Sequence, residues 1–136
     1  MANKILVSEG WQQRIRDKLG VDIAYLPDSV IEQPDYITIA ESNIIKVRPD
    51  YLTLMDDNKI YLEAAVVCDC ARLLCPSMKT RLPKSESGPS FKVELETDWD
   101  KFALDLTIEI QSNLGNISGT EIDSEVFYGF DLSGRI

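Results

Sequence analysis

Cys68, Cys70 and Cys75 lie within eight residues of one another, and thiols this close in sequence raise the question of a metal cage or a redox centre. A structural zinc or an iron–sulfur cluster needs four converging ligands, and the chain has no histidine to complete such a set. On a helix, a separation of two points Cys68 and Cys70 to opposite sides, whereas Cys68 and Cys75, seven apart, share a face. The spacing therefore predicts small buried apolar side chains, with a metal shared between subunits as the remaining ligand role. Glu94, Glu96, Asp98 and Asp100 could form paired carboxylates for acid–base work or cation binding. Their spacing suits another arrangement better: Glu94 and Glu96 on the solvent face of a strand, and Asp98 or Asp100 at the positive end of the next helix. Asp56, Asp57, Asn58 and Glu63 depart from the calcium-loop pattern, because Ile60 occupies a ligand position and no glycine makes the turn.

The absence of histidine also removes the Ser-His and Cys-His dyads and the usual proton shuttle near neutral pH. Gly88-Pro89 and Gly115-Asn116 stand alone, without the glycine spacing that lets backbone amides wrap a phosphate. Arg14, Arg16 and Lys18 make the first helical segment locally basic, and with Glu9 and Asp17 beside them they read as a solvated face. The residues carry no catalytic site, no cofactor site and no metal site that the spacing supports. Binding and assembly are the expected mode of action.

Caps, breakers and apolar spacing set out the elements that would hold these residues. Ser8 is placed to cap a helix in which Trp11, Ile15 and Leu19 recur every four residues until Gly20. Asp28 caps a short turn through Ile31. Pro34 precedes a helix with Tyr36, Ile37, Ala40, Ile44 and Val47 on one face, stopped by Pro49. The Asp56-Asp57-Asn58 cluster marks a loop and the next N-terminus, and Lys59 to Cys75 forms the central helix, with Ile60, Ala64, Val67, Ala71 and Leu74 as its apolar stripe. Leu62, Val66 and Leu73 form a second stripe on its far side, so the helix is either sandwiched in the core or shared with another subunit.

Pro83 to Pro89 reads as an exposed loop, and Phe91 to Glu96 alternates like a strand. Thr97 or Asp98 caps a last helix with Trp99, Phe102, Ala103, Leu106, Ile110 and Leu114 on one face and Gly115 as its terminator. These segments predict a mainly α fold: a bundle of four to five helices with a short β-strand or hairpin, over residues 1–117. Residues 118–136 form an extended C-terminal tail whose Val126, Phe127, Tyr128, Phe130 and Leu132 are unusually apolar for a terminus. With Leu62, Val66 and Leu73 they are the candidate oligomer or partner interface. The alternative is a tail folded back over that stripe to complete its own domain.

The chain has 136 residues, within the range of a single domain, and 44% of them are hydrophobic. Its formal charge of −9 disfavours broad adhesion to nucleic acid or anionic lipid, which needs clustered Lys and Arg. No apolar run approaches the roughly 18 residues of a membrane span, and the first residues lack the apolar stretch of a secretory signal. A reduced, intracellular protein with no membrane partner is the expectation.

Ala40-Glu41 in an acidic helix, Tyr61-Leu-Glu-Ala-Ala65 leading into Ala71-Arg-Leu-Leu-Cys-Pro76, the loop Glu86-Ser-Gly-Pro89 and the Asp98-Trp99 helix start together give a pattern. Over Leu26 to Leu114 it resembles the small helical head–tail connector, or adaptor, proteins of tailed phages and prophages. The resemblance implies a homo-oligomeric ring beneath the portal protein at the capsid vertex, extending the DNA channel and receiving tail-joining proteins, in the virion or in host cytoplasm during assembly. It implies no catalytic residue. An acidic ring would repel DNA phosphates and let the genome pass without specific binding. Head-to-tail contacts close into such rings where the rotation permits. Two other classes stay open: a small intracellular enzyme or metalloprotein using the carboxylates or cysteines, and a free-standing protein-binding regulator.

Overall fold

The computed structural model describes residues 3–81 and 98–117. Their elements are α1 (Trp11–Leu19), α2 (Asp28–Ile31), α3 (Ile37–Val47), a 3₁₀ turn (Tyr51–Thr53), α4 (Asp56–Arg81) and α5 (Trp99–Gly115). The protein is mainly helical, and no strand occurs among the described residues. Phe91–Glu96, predicted as a strand, and the tail 118–136 lie outside them, as does the loop Pro83–Pro89.

Helix α4 is the axis of the fold. It packs most extensively on α5 and also touches α3 and α1. From Ala65 to Ala71 every residue is buried, so this stretch is enclosed on all sides rather than along one stripe. That settles the sandwiched-or-shared question for two members of the second stripe. Leu62 and Val66 are buried within the chain itself, and Leu73 is half-buried against the same core. In the first stripe Val67, Ala71 and Leu74 are buried, Ala64 is half-buried and Ile60 faces solvent. The predicted face was thus rotated toward Leu62 and Val66 at the beginning of the helix. Ile44, Trp99, Leu106 and Ile110 are buried as expected, and Phe102 is half-buried with its ring 5.4 Å from that of Trp99.

The helix boundaries correct several expectations. Helix α1 begins at Trp11, preceded by Gly10 in a left-handed conformation (φ 87°), and Ser8 does not cap it. Gly20 (φ 73°) ends it as predicted: its amide and that of Val21 return to the carbonyl of Arg16, a closure only a left-handed residue permits. Helix α4 extends beyond Lys59–Cys75 at both ends. It begins at Asp56, where the cluster read as a loop and the next N-terminus forms the first turn, its carboxylates at the positive end of the helix. It also continues through Pro76, which lacks the N–H for the i−4 bond. Beyond the proline Met78 is fully buried and Lys79 pairs with Asp100 of α5 at 2.8 Å, so tertiary contacts hold the last turns in place. Asp98 caps α5, accepting from the Lys101 amide at 3.1 Å. Gly115 is the last helical residue and Asn116 the cap, without a left-handed turn.

Ala71 has no exposed surface in the most enclosed part of α4. Ala71→Leu should destabilise the chain by about 1–3 kcal/mol through overpacking, read as a lower midpoint in chemical unfolding. An unchanged midpoint would show that the site has room.

Candidate functional site

Among the described residues Glu41 is the most heavily engaged carboxylate. It sits on α3, is almost fully buried, and accepts three successive backbone amides of the N-terminal arm. Ile5 N donates at 2.6 Å and Leu6 N at 2.9 Å to Oε2, and Lys4 N is shared between the two oxygens at 2.9 and 3.1 Å. Such a nest of amides solvates an anion as water would, which is why the charge can be buried. The arm is thereby fixed across α3, and Ile5 and Leu6 enter the core. Sequence reasoning noted Ala40-Glu41 only as part of a pattern, since nothing in the arm's residue types announces that its backbone will be the donor.

The arm forms one wall of a cleft. About 630 Å³ lies between Asn3, Leu6, Val7, Trp11, Gln12, Glu32, Pro34, Ile37 and Thr38. Gln12 spans part of it, donating its amide to Glu32 at 2.6 Å. The lining holds one carboxylate, amides, a hydroxyl and an indole. It offers hydrogen-bonding and apolar contact but no nucleophile paired with a base. A smaller cavity of about 120 Å³ lies where α4 begins, lined by Ile5, Val7, Tyr51, Leu52, Leu54 and Leu62 with Lys4 and Lys59.

The basic residues of α1 work inward rather than forming a solvated face. Arg14 pairs with Glu63 of α4 at 3.1 Å, and Lys18 pairs with Glu109 of α5, which raises the Lys18 pKa. Arg16 is buried, bonded to the Leu26 carbonyl at 3.0 Å and to Asp28 at 2.7 Å. Asp28, predicted as a cap, is the first residue of α2 and the partner of this arginine.

The three cysteines are all buried on α4. Burial raises each thiol pKa, that of Cys68 to about 12 with Glu109 adding to the effect, and that of Cys75 to about 11. Among the described residues no three His, Cys, Asp or Glu side chains converge as a metal site. Of the predicted interface, Leu62 and Val66 are withdrawn into the core and Leu73 is half-buried. Val126, Phe127, Tyr128, Phe130 and Leu132 lie outside the described residues. A different apolar surface is exposed instead: Leu104 and Ile108, four apart on α5, at 50% and 63% exposure. No helix among the described residues is long and apolar enough to cross a membrane. Comparison of the chain with protein-family models, curated proteins and solved structures found no match.

Two outcomes follow from this geometry. Glu41→Gln keeps the shape but removes the charge and turns one acceptor into a donor facing backbone amides. It should cost about 1–3 kcal/mol and speed amide exchange at Lys4, Ile5 and Leu6 before any other region. The thiols give an alkaline dependence. Between the ordinary thiol value of 9.0 and the raised values of about 12 for Cys68 and about 11 for Cys75, the unfolded chain releases protons that the folded chain keeps. Stability should therefore fall as pH rises above about 9, and replacing all three cysteines by alanine should flatten that slope.

Proposed function

We propose that the chain is a structural assembly protein of the head–tail connector kind, joining as a ring beneath a portal protein, extending the DNA channel and supporting tail joining. The observation that carries this reading is the exposed pair Leu104 and Ile108, which makes α5 apolar on the side away from α4 as well as toward it. An outward apolar ridge on a helix packed by its other face suits the centre of a subunit contact, which is more apolar than its rim. Helix α5 is held on the central helix by Trp99, Leu106, Ile110 and Leu114 and by the Lys79–Asp100 pair, and on α1 by the Lys18–Glu109 pair, so the ridge is presented in one orientation. Lys101 and Asp105, 3.6 Å apart, flank it with both signs of charge, which suits a contact of defined register.

The acidic balance supports the same role. With 14 basic and 23 acidic residues, and with Arg14, Arg16 and Lys18 committed to internal pairs, a ring of copies would present a negative lumen. DNA phosphates would be repelled from it rather than bound. Any ring partner is another copy of the chain, and any platform is a portal of the same particle.

The test is the mass of the full chain by light scattering, alone and with its portal protein. The chain should form rings or bind the portal. Leu104→Asp with Ile108→Asp should abolish that association while leaving the helical circular dichroism unchanged. A chain that stays monomeric at high concentration and beside its portal would defeat the reading.

A further inference from the structure

At the end of the molecule where α4 begins, Val7, Tyr51, Leu52, Leu54 and Leu62 enclose a cavity of about 120 Å³. That is the scale on which a protein cavity accepts one aromatic ring. Its outer wall is open: Leu52 is 80% exposed and Val7 62%. Lys4 and Lys59 stand on its rim, both exposed and neither in an ion pair among the described residues. An apolar hole between two available ammonium groups fits a ligand of definite chemistry, an aromatic side chain flanked by carboxylates.

The chain carries one segment of that composition outside the described residues. Between Ser118 and Ile136 the sequence has Glu121, Asp123, Glu125 and Asp131 against a single cation, Arg135, and places Phe127, Tyr128 and Phe130 among them. The place where this segment starts is also suited. Helices α4 and α5 run antiparallel, with Lys79 against Asp100 and Asn113 against Cys68. Carried on, the same register sets Ile117, buried just beyond α5, near Ala64 of α4, in the helix turns that also carry Lys59 and Leu62. A few extended residues at about 3.3 Å each suffice to reach the socket. A tether this short gives the segment a high effective concentration there, ahead of any competing copy.

We propose that the acidic aromatic segment 121–132 latches into this socket of its own chain, one ring filling the cavity and the neighbouring carboxylates meeting Lys4 and Lys59. The latch covers the apolar end of the bundle that Val7 and Leu52 otherwise leave open. This inference does not depend on the assembly reading. Joined to it, the latch becomes a contact that an incoming neighbour or portal must displace, which would delay association until the platform is present.

Site-directed disulfide formation in the full chain tests it. Leu52→Cys is combined in turn with Phe127→Cys and with Phe130→Cys, with Ile39→Cys plus Phe130→Cys as the control pair, in proteins with native circular dichroism. Mild oxidation should give an intrachain disulfide from Leu52→Cys well before the control pair reacts. Adding Lys4→Glu and Lys59→Glu should slow it several-fold, and replacing Glu121, Asp123 and Glu125 by lysine in that background should recover the rate. A disulfide formed between two chains would assign the socket to a second copy and overturn the proposal. A rate no faster than the control, or indifferent to the lysine reversals, would overturn it as well. The mass of the unsubstituted chain beside its portal is read separately, so the latch and the assembly role can fail independently.

Discussion

A carboxylate with no exposed surface lies in the middle of the central helix, and the arrangement of α3 and α4 follows from the need to accommodate it. Asp69 could not remain charged in that position without partners, since burial alone pushes its pKa up. Arg72, one turn on, supplies the opposing charge at 2.6 Å, and Asn43 of α3 donates to the second oxygen at 2.9 Å. The first contact is local to the helix, but the second crosses to α3 and fixes which side of α4 that helix may occupy. Apolar packing tolerates a few tenths of an ångström of sliding, whereas a buried acceptor left without its donor costs about 1–3 kcal/mol, so the polar contact sets the register that the apolar side chains then fill.

The same logic recurs wherever the chain has little apolar surface to offer. The N-terminal arm is short and is held by its backbone amides on Glu41, with only Ile5 and Leu6 entering the core. The connection between α1 and α2 is held by Arg16, which reaches both the Leu26 carbonyl and Asp28. Arg48, at the end of α3, is buried with its guanidinium on Asp50 at 2.9 Å, where the chain turns into the 3₁₀ segment before α4. Each of these charges holds an irregular segment against a helix. A protein with so large an acidic excess thus spends several of its few cations on internal architecture.

Helix positions and most core residues were legible in the sequence because periodicity and glycine terminators are local signals. Val67, Ala71, Leu74, Leu106 and Ile110 are buried where their spacing placed them, and Gly20 and Asp98 end and begin helices as their chemistry suggests. What could not be read was set at a distance. The face of α4 was misplaced at Ile60 because a helix surrounded by three others is apolar nearly all round, and a period of 3.6 fades when every position is buried. Helix α4 runs past the end that its apolar spacing gave at Cys75, because the contacts of Met78 and Lys79 that carry it through Pro76 are tertiary. Glu41 gave no signal because its ligands are peptide groups, which every sequence contains. The basic face of α1 misled for a related reason: whether Arg14 and Lys18 meet solvent or Glu63 and Glu109 depends on how the helices are packed.

The idea of a helix with two apolar faces survives, but on a different helix. On α4 the second stripe was taken as a surface awaiting a partner. In the fold α4 lies between α1, α3 and α5, and Leu62 and Val66 meet neighbours within the chain. Helix α5 is peripheral and among the described residues packs chiefly on α4, which occupies the side of Leu106 and Ile110. Leu104 and Ile108 are two residues out of step with that pair, about half a turn round the helix. They therefore cannot be reached by the contact that buries Leu106 and Ile110, however α5 slides on α4. Leu104 and Ile108 stay on the face of α5 turned away from α4, and it is on this face that the proposed assembly contact rests.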